Sequence, residues 1–209
     1  MRRQPELSGE TLNSDEMESR SLLLARLLSQ IFNPVFVTIA AYLLVGFQTL
    51  DDAGLAWVGG IIAFQTVPSV LYYLVRLRQG GFSDADVSVR HERNELYVFG
   101  TVSVLLTIAL LLVLGAPQPF LALTIGMLGI GIICGLVNLI WKISMHGAAI
   151  GALATLALIY SSMLGIVFWI CAVAVAWARV RTRNHTPGQV IAGLAVAAMV
   201  ITVSFLALA

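Results

Sequence analysis

LYVFGTVSVLLTIALLLVL (96–114), then GAPQ (115–118), then PFLALTIGMLGIGIICGLVNLI (119–140): this stretch contains no Asp, Glu, Lys or Arg. Each apolar part, if helical at about 1.5 Å per residue, spans a hydrocarbon core of roughly 30 Å, and the short polar segment between them permits only a tight reversal. Neither part alternates apolar with polar residues, which excludes the strands of a membrane barrel. The pattern is that of two consecutive antiparallel membrane helices.

The flanking sequence follows the same rule. The chain is 59% apolar and only 11% charged, so it lacks the polar side chains needed to cover a soluble domain. Further spans are predicted near 31–50, 54–77, 146–161, 165–178 and 186–208. The expected fold is an all-α polytopic transmembrane helix bundle of about six to seven spans. Residues 146–178 are too long for one straight span and tight for two, which favours two short helices broken between Ser161 and Gly165. Residues 17–30, MESRSLLLARLLSQ, suit an interfacial helix or a lead into the first span, kinked at Asn33 and Pro34. Residues 1–19 have no apolar run after their basic start, so they read as a disordered tail, not a cleavable signal. Residues 20–209 then form a single membrane domain. Cys134 and Cys171 lie singly in apolar runs and suggest neither a disulfide framework nor a zinc site.

Alternating the spans places the N-terminus and the connections 78–95, 141–145 and 179–185 on one side of the membrane. All 12 Lys and Arg residues and all three histidines fall on that side. Asp51 and Asp52 are the only charged residues on the other. The positive-inside rule makes the charged face cytoplasmic, in a plasma membrane protein. Arg2, Arg3, Arg20, Arg26, Arg76 and Arg78 alone give the same answer.

Three clusters share this face: SDADVSVRHERNEL (83–96), WKISMHGAA (141–149) and ARVRTRNHTPGQVIAG (178–193). Each pairs a cation with a histidine, a combination suited to binding an anionic head group and supplying both a nucleophile and a proton donor. Ser144 and His146 stand where a helix begins, and its free N–H groups are suited to phosphate oxygens. Arg76, Arg78, Arg181 and Arg183 read as interfacial anchors. Thr186, Pro187 and Gln189 have the pattern of a capping box. Asp84 and Asp86 form a D-x-D, but no second carboxylate pair accompanies it, and ion pairing with arginine is its expected role. Gly147 and Gly151 permit close helix packing, within the bundle or between subunits.

The order and spacing of these clusters resemble the type 2 phosphatidic acid phosphatase, or lipid phosphate phosphatase, superfamily, with its pattern K-x6-R-P, P-S-G-H and S-R-x5-H-x3-D. Arg179 and His185 have the R-x5-H spacing, Ser144 and His146 the S-x-H spacing, and Arg93 corresponds to the first-motif arginine. The sequence departs from the pattern at several places. Asp86 stands where the family has lysine, Asn94 replaces the first proline, Ile143 and Met145 flank Ser144, and Ala178 precedes Arg179. Gln189 takes the place of the final aspartate, a neutral partner for a histidine that the family pairs with a charge.

The resemblance implies a metal-independent hydrolase without cofactor, acting on a prenyl phosphate or diphosphate or on a phosphatidate-like lipid. His185 is then the nucleophile that becomes phosphohistidine, oriented by Gln189, and His146 the proton donor. Arg93, Arg179, Lys142 and Ser144 bind the phosphoryl oxygens, with Arg90 as a further cation. The expected partners are the phosphorylated lipid and membrane lipids; no nucleic acid is expected, and homo-oligomerisation is left open. The substituted lysine and aspartate support an alternative, a noncatalytic lipid-binding or scaffolding protein on the same fold. A transporter is disfavoured because no span centre carries a charge.

Overall fold

The computed structural model describes residues 8–48 and 53–209. Arg2 and Arg3 of the expected tail, and the Asp51–Asp52 turn, lie outside the described residues. The described chain is all-α, with helices α1 (Ser8–Ile31), α2 (Pro34–Gln48), α3 (Ala53–Ile61), α4 (Val67–Arg78), α5 (Arg93–Leu114), α6 (Gln118–Ile140), α7 (Met145–Tyr160), α8 (Ser162–Arg181) and α9 (Pro187–Leu208). Ala53–Arg78, α5, α6, α8 and α9 are each long and apolar enough to cross a membrane. The residues of α1 from Met17 onward, together with α2, make a sixth candidate span bent by 47°. Helix α7 is apolar but shorter.

The helix ends follow from local chemistry. Helix α5 stops at Gly115, whose φ of 66° is left-handed and whose N–H reaches back to Leu111 and Leu112, a conformation that glycine adopts without steric cost. The bend between α1 and α2 lies at the expected Asn33–Pro34 pair, where the Asn33 side chain accepts from the N–H of Val35 at 3.0 Å. The predicted capping box is present at α9: Thr186 accepts from the Gln189 N–H, and Gln189 returns the bond to Thr186. Ser161 separates α7 from α8 and caps α8, within the expected break. One feature had no forecast. A π-helical turn, Ile62–Thr66, joins α3 to α4, ending two residues before Pro68, which has no N–H to offer an α-helical ladder.

Residues 8–19, expected to belong to a disordered tail, are the opening turns of α1. The helix is tied to the bundle around Glu18 and Ser21. Arg181 of α8 donates to Ser21 at 3.1 Å and to the Glu18 carbonyl at 3.2 Å, and pairs with the Glu18 carboxylate. Such tertiary contacts to α1 are absent from any local pattern.

The bundle buries an apolar core and is apolar on its outer surface as well. Val113, Ile140 and Leu206 are more than four-fifths exposed, while Thr107, Thr124 and Asn138 are buried. That distribution suits a surrounding of lipid, with polar side chains turned into the protein. Helix α7 is the central element, with Gly147–Gly151 and every residue to Ala157 buried except Ala149. Encased by protein, its sixteen residues need not match the bilayer thickness.

Helices α7 and α9 cross closely because glycine lines both. A Cβ on Gly193 would stand 2.5 Å from the Ser144 carbonyl oxygen, and one on Gly147 2.9 Å from that of Val190. The small-residue pattern at Gly147 and Gly151 therefore serves packing inside the bundle. It also fixes the start of α7, with Ser144 and His146, against the start of α9.

Candidate active site

The three clusters read from the sequence meet at one end of the bundle. Helix α5 begins at Arg93, which is 6% exposed, and its guanidinium donates to the carbonyls of Val87 at 2.7 Å and Ile143 at 3.3 Å. One arginine thus ties the first cluster to the second. The Ser144 N–H donates to the Gln189 carbonyl at 3.2 Å, tying the second to the third. Ser88 donates to Asn184 at 3.3 Å, closing the ring between the third and the first.

At the centre of this ring is His185, 6% exposed, on the connection between α8 and α9. Its Nδ1 lies 3.2 Å from Oε1 of Gln189, and the same oxygen accepts from the Thr186 N–H at 3.1 Å. Because a backbone N–H donates to it, that atom is the amide oxygen, so Nδ1 of His185 carries the ring proton. Nε2 keeps its lone pair. The capping box and the histidine share one glutamine side chain, so the helix cap and the tautomer are set together.

Burial first, and then the charges of Arg93, Arg179 and Lys142, push His185 down to about 3 from its ordinary 6.5, while the Gln189 hydrogen bond acts in the other direction. The ring is therefore neutral across the physiological range. Lys142, half-buried on the α6–α7 connection, is also pushed down, by burial and then by Arg93 and Arg179, with Asp84 and Asp86 opposing. Three cations thus concentrate around one neutral imidazole, an arrangement suited to receiving an anion.

Above about pH 6.5 His185 is neutral in both the folded and the unfolded chain, and it adds no slope. Between 6.5 and 3 the unfolded chain holds a proton that the folded chain refuses, so stability falls as the pH drops through that window. The melting temperature of the detergent-solubilised protein is expected to fall more steeply from about pH 7 to pH 4 in the wild type than in His185→Asn. Equal slopes would mean that the ring protonates freely in the fold.

Arg179 is 1% exposed at the end of α8, and its Nη1 lies 3.3 Å from the Asp86 carboxylate. Asn184 donates to the same carboxylate oxygen at 2.8 Å. The ion pair expected for the D-x-D therefore exists, but its partner is distant in sequence. Asp84 instead organises its own loop, accepting from the N–H groups of Asp86 at 2.8 Å and Ser88 at 3.2 Å. Among the described residues no three His, Cys, Asp or Glu side chains converge as a metal site.

His146, in the first turn of α7, places Nε2 3.2 Å from the Ser29 carbonyl of α1. A carbonyl only accepts, so the His146 proton is on Nε2. His146, His185, Arg93 and Asp86 together line one end of a cavity of about 600 Å³ whose walls continue over Val70, Leu74, Phe99 and Val104. A polar end and a long apolar wall in one cavity match the shape of an amphiphile.

Two expected phosphate ligands are engaged elsewhere. Ser144 is fully buried, and its hydroxyl accepts from the Gly147 N–H at 3.2 Å as the cap of α7. Arg90 donates to the carbonyl of Asn138 at 2.7 Å and to that of Leu139, closing the end of α6. Two asparagines escaped the sequence reading. Asn184 holds Asp86, while Asn138, fully buried, donates to the Arg90 carbonyl at 2.9 Å and to Asn94 at 3.0 Å. A lone amide near the end of the apolar run LVNLI was the available signal for Asn138. Arg76 pairs with Glu95 at 2.9 Å across α4 and α5, in addition to its interfacial position.

No protein family, no curated protein and no solved structure matches this chain.

Proposed function

We propose that the protein is a metal-independent lipid phosphatase that acts through a phosphohistidine, on a prenyl phosphate or diphosphate or a phosphatidate-like lipid. The observation that carries this reading is His185: neutral, with its proton tied to Gln189, its Nε2 lone pair available and three cations around it. The resemblance of the three clusters to the type 2 phosphatidic acid phosphatase pattern supports the same chemistry.

In this mechanism the lipid chain occupies the apolar cavity and the phosphoryl group sits among Arg93, Arg179 and Lys142. Nε2 of His185 attacks phosphorus, forming the N–P bond as the bond from phosphorus to the lipid oxygen breaks. His146, protonated on both ring nitrogens once the anionic substrate is bound, gives its Nε2 proton to that oxygen, which takes the place of the Ser29 carbonyl, and returns to the neutral imidazole. The arginines stabilise the charge that grows on the equatorial oxygens. Gln189 holds the ring while it gains positive character. Water then attacks phosphorus and returns a proton to His146, the N–P bond breaks, and inorganic phosphate leaves as the His185 imidazole is restored.

The charge asymmetry supports a cytoplasmic orientation of this end, in the plasma membrane. Labelling of Ser83→Cys by an impermeant thiol reagent is expected only after sealed inside-in vesicles are opened. Labelling from outside would reverse the orientation.

The deciding experiment measures phosphate release by the detergent-purified protein from prenyl diphosphates and phosphatidate with EDTA present, comparing wild type with His185→Ala. Release by the wild type alone supports the phosphatase. One observation favours a second reading, a noncatalytic phospholipid binder: neutral Gln189 gives a developing imidazolium less support than a carboxylate would. Retained lipid binding with no release from any substrate would establish it.

A further inference from the structure

Asn33 and Asp86 line the large cavity and also a second chamber of about 320 Å³, formed by α1, its bend into α2 and the end of α8. Leu22 is the one apolar residue in its lining. A hydrocarbon chain placed here would strand carboxylate, amide and guanidinium groups away from water, so the chamber does not extend the lipid groove.

Two groups in the lining lack a partner among the described residues. Ser29 is 8% exposed and its hydroxyl makes no hydrogen bond; Arg179 is 1% exposed and its Nε makes none. Protein interiors rarely leave such groups unpaired, and an unpaired one implicates a ligand or solvent. The Ser29 carbonyl, in turn, accepts from His146, the proton donor of the proposed reaction.

The chemistry of the lining selects the occupant. Asp86 supplies a carboxylate acceptor, while Arg26, Asn33 and the Gln30 amide supply donors beside it. With Arg179 given to Asp86 and to the reacting phosphoryl group, a second phosphate would meet the Asp86 carboxylate, a like charge, with only Arg26 to offset it. A hydroxyl both donates and accepts, and it suits a wall that alternates the two. The geometry points to a subsite for a hydroxylated, polyol- or sugar-like part of the lipid alcohol that carries the phosphoryl group. This rests on the phosphatase reading. The chain then leaves through the large cavity past Asn33, the free hydroxyls enter the chamber, and the ester oxygen lies at His146. The substrate is a phosphate monoester of a hydroxylated lipid, in preference to a simple prenyl phosphate.

Calorimetric titration of the full-length protein in detergent with glycerol 1-phosphate and with methyl phosphate tests this without requiring turnover. The wild type is expected to bind glycerol 1-phosphate about tenfold more tightly than methyl phosphate. Gln30→Leu, at an exposed position, and Ser29→Ala are each expected to erase that preference and to leave methyl phosphate affinity within about twofold. Equal affinities in the wild type, or a preference that survives both changes, would overturn the subsite and leave the phosphate site standing. Failure of both esters to bind the wild type would overturn the subsite and the phosphatase reading together.

Discussion

Replacing His185 with alanine is expected to reduce phosphate release by at least about three orders of magnitude, because a covalent route without its nucleophile retains only binding and charge stabilisation. The side chain sits on a short connection and its ring makes one side-chain hydrogen bond, to Gln189. The amide oxygen of Gln189 keeps its second donor, the Thr186 N–H, so the cap of α9 survives the change. The variant should therefore stay folded and bind lipid while losing turnover. Substrate labelled in the phosphoryl group, quenched in the steady state, should leave acid-labile, base-stable label on the wild type and none on His185→Ala. Activity retained by the purified variant would remove His185 from the mechanism.

The second large effect is expected at Arg179. Arg179→Ala removes a guanidinium that is 1% exposed and strips Asp86 of its cationic partner, leaving a carboxylate beside the phosphoryl position. Loss of one preorganised cation costs about 10²–10³ in kcat, and the unpaired carboxylate adds repulsion of the substrate, so KM should rise as well. The backbone contact from His185 N–H to the Arg179 carbonyl, at 3.2 Å, does not depend on the side chain. Arg90→Ala is the informative control. The Arg90 guanidinium is anchored through Nη1 on the carbonyl end of α6, at an exposed position outside the cavity lining, so its removal should change kcat/KM by less than about threefold and show mainly as a lower melting temperature. A large kinetic loss at Arg90 with none at Arg179 would invert the assignment of cations.

The contrast between these two arginines shows where sequence reading stops. Both stand in the polar clusters at one end of the bundle, both are near a histidine in sequence, and family spacing singles out only one. Arg90 and Ser144 are drawn away by helix ends, since four carbonyls at the end of α6 and four N–H groups at the start of α7 require partners. Which nearby side chain meets that requirement depends on loop trajectory. The loop 79–92 is itself shaped by Asp84, by the left-handed Val87 (φ 46°) and by the Tyr73 hydroxyl, which donates to the Ala85 carbonyl at 2.6 Å.

Apolar run length and the placement of charge were sufficient for the all-α membrane bundle, for most span positions, for the break at Ser161 and for the gathering of the three clusters at one end. These features are local or follow from parity: an apolar run sets the length of its own helix, and successive antiparallel helices alternate ends of the bundle. The capping box at Thr186 and Gln189 was legible for the same reason, since its partners are neighbours in the chain. The Asp86–Arg179 pair, the docking of α1 on α8, the approach of α7 to α9 at Gly193 and the two adjoining cavities required the packed structure. They join residues far apart in sequence, and their distances depend on how closely small side chains let helices approach, a property that pattern and hydropathy do not encode.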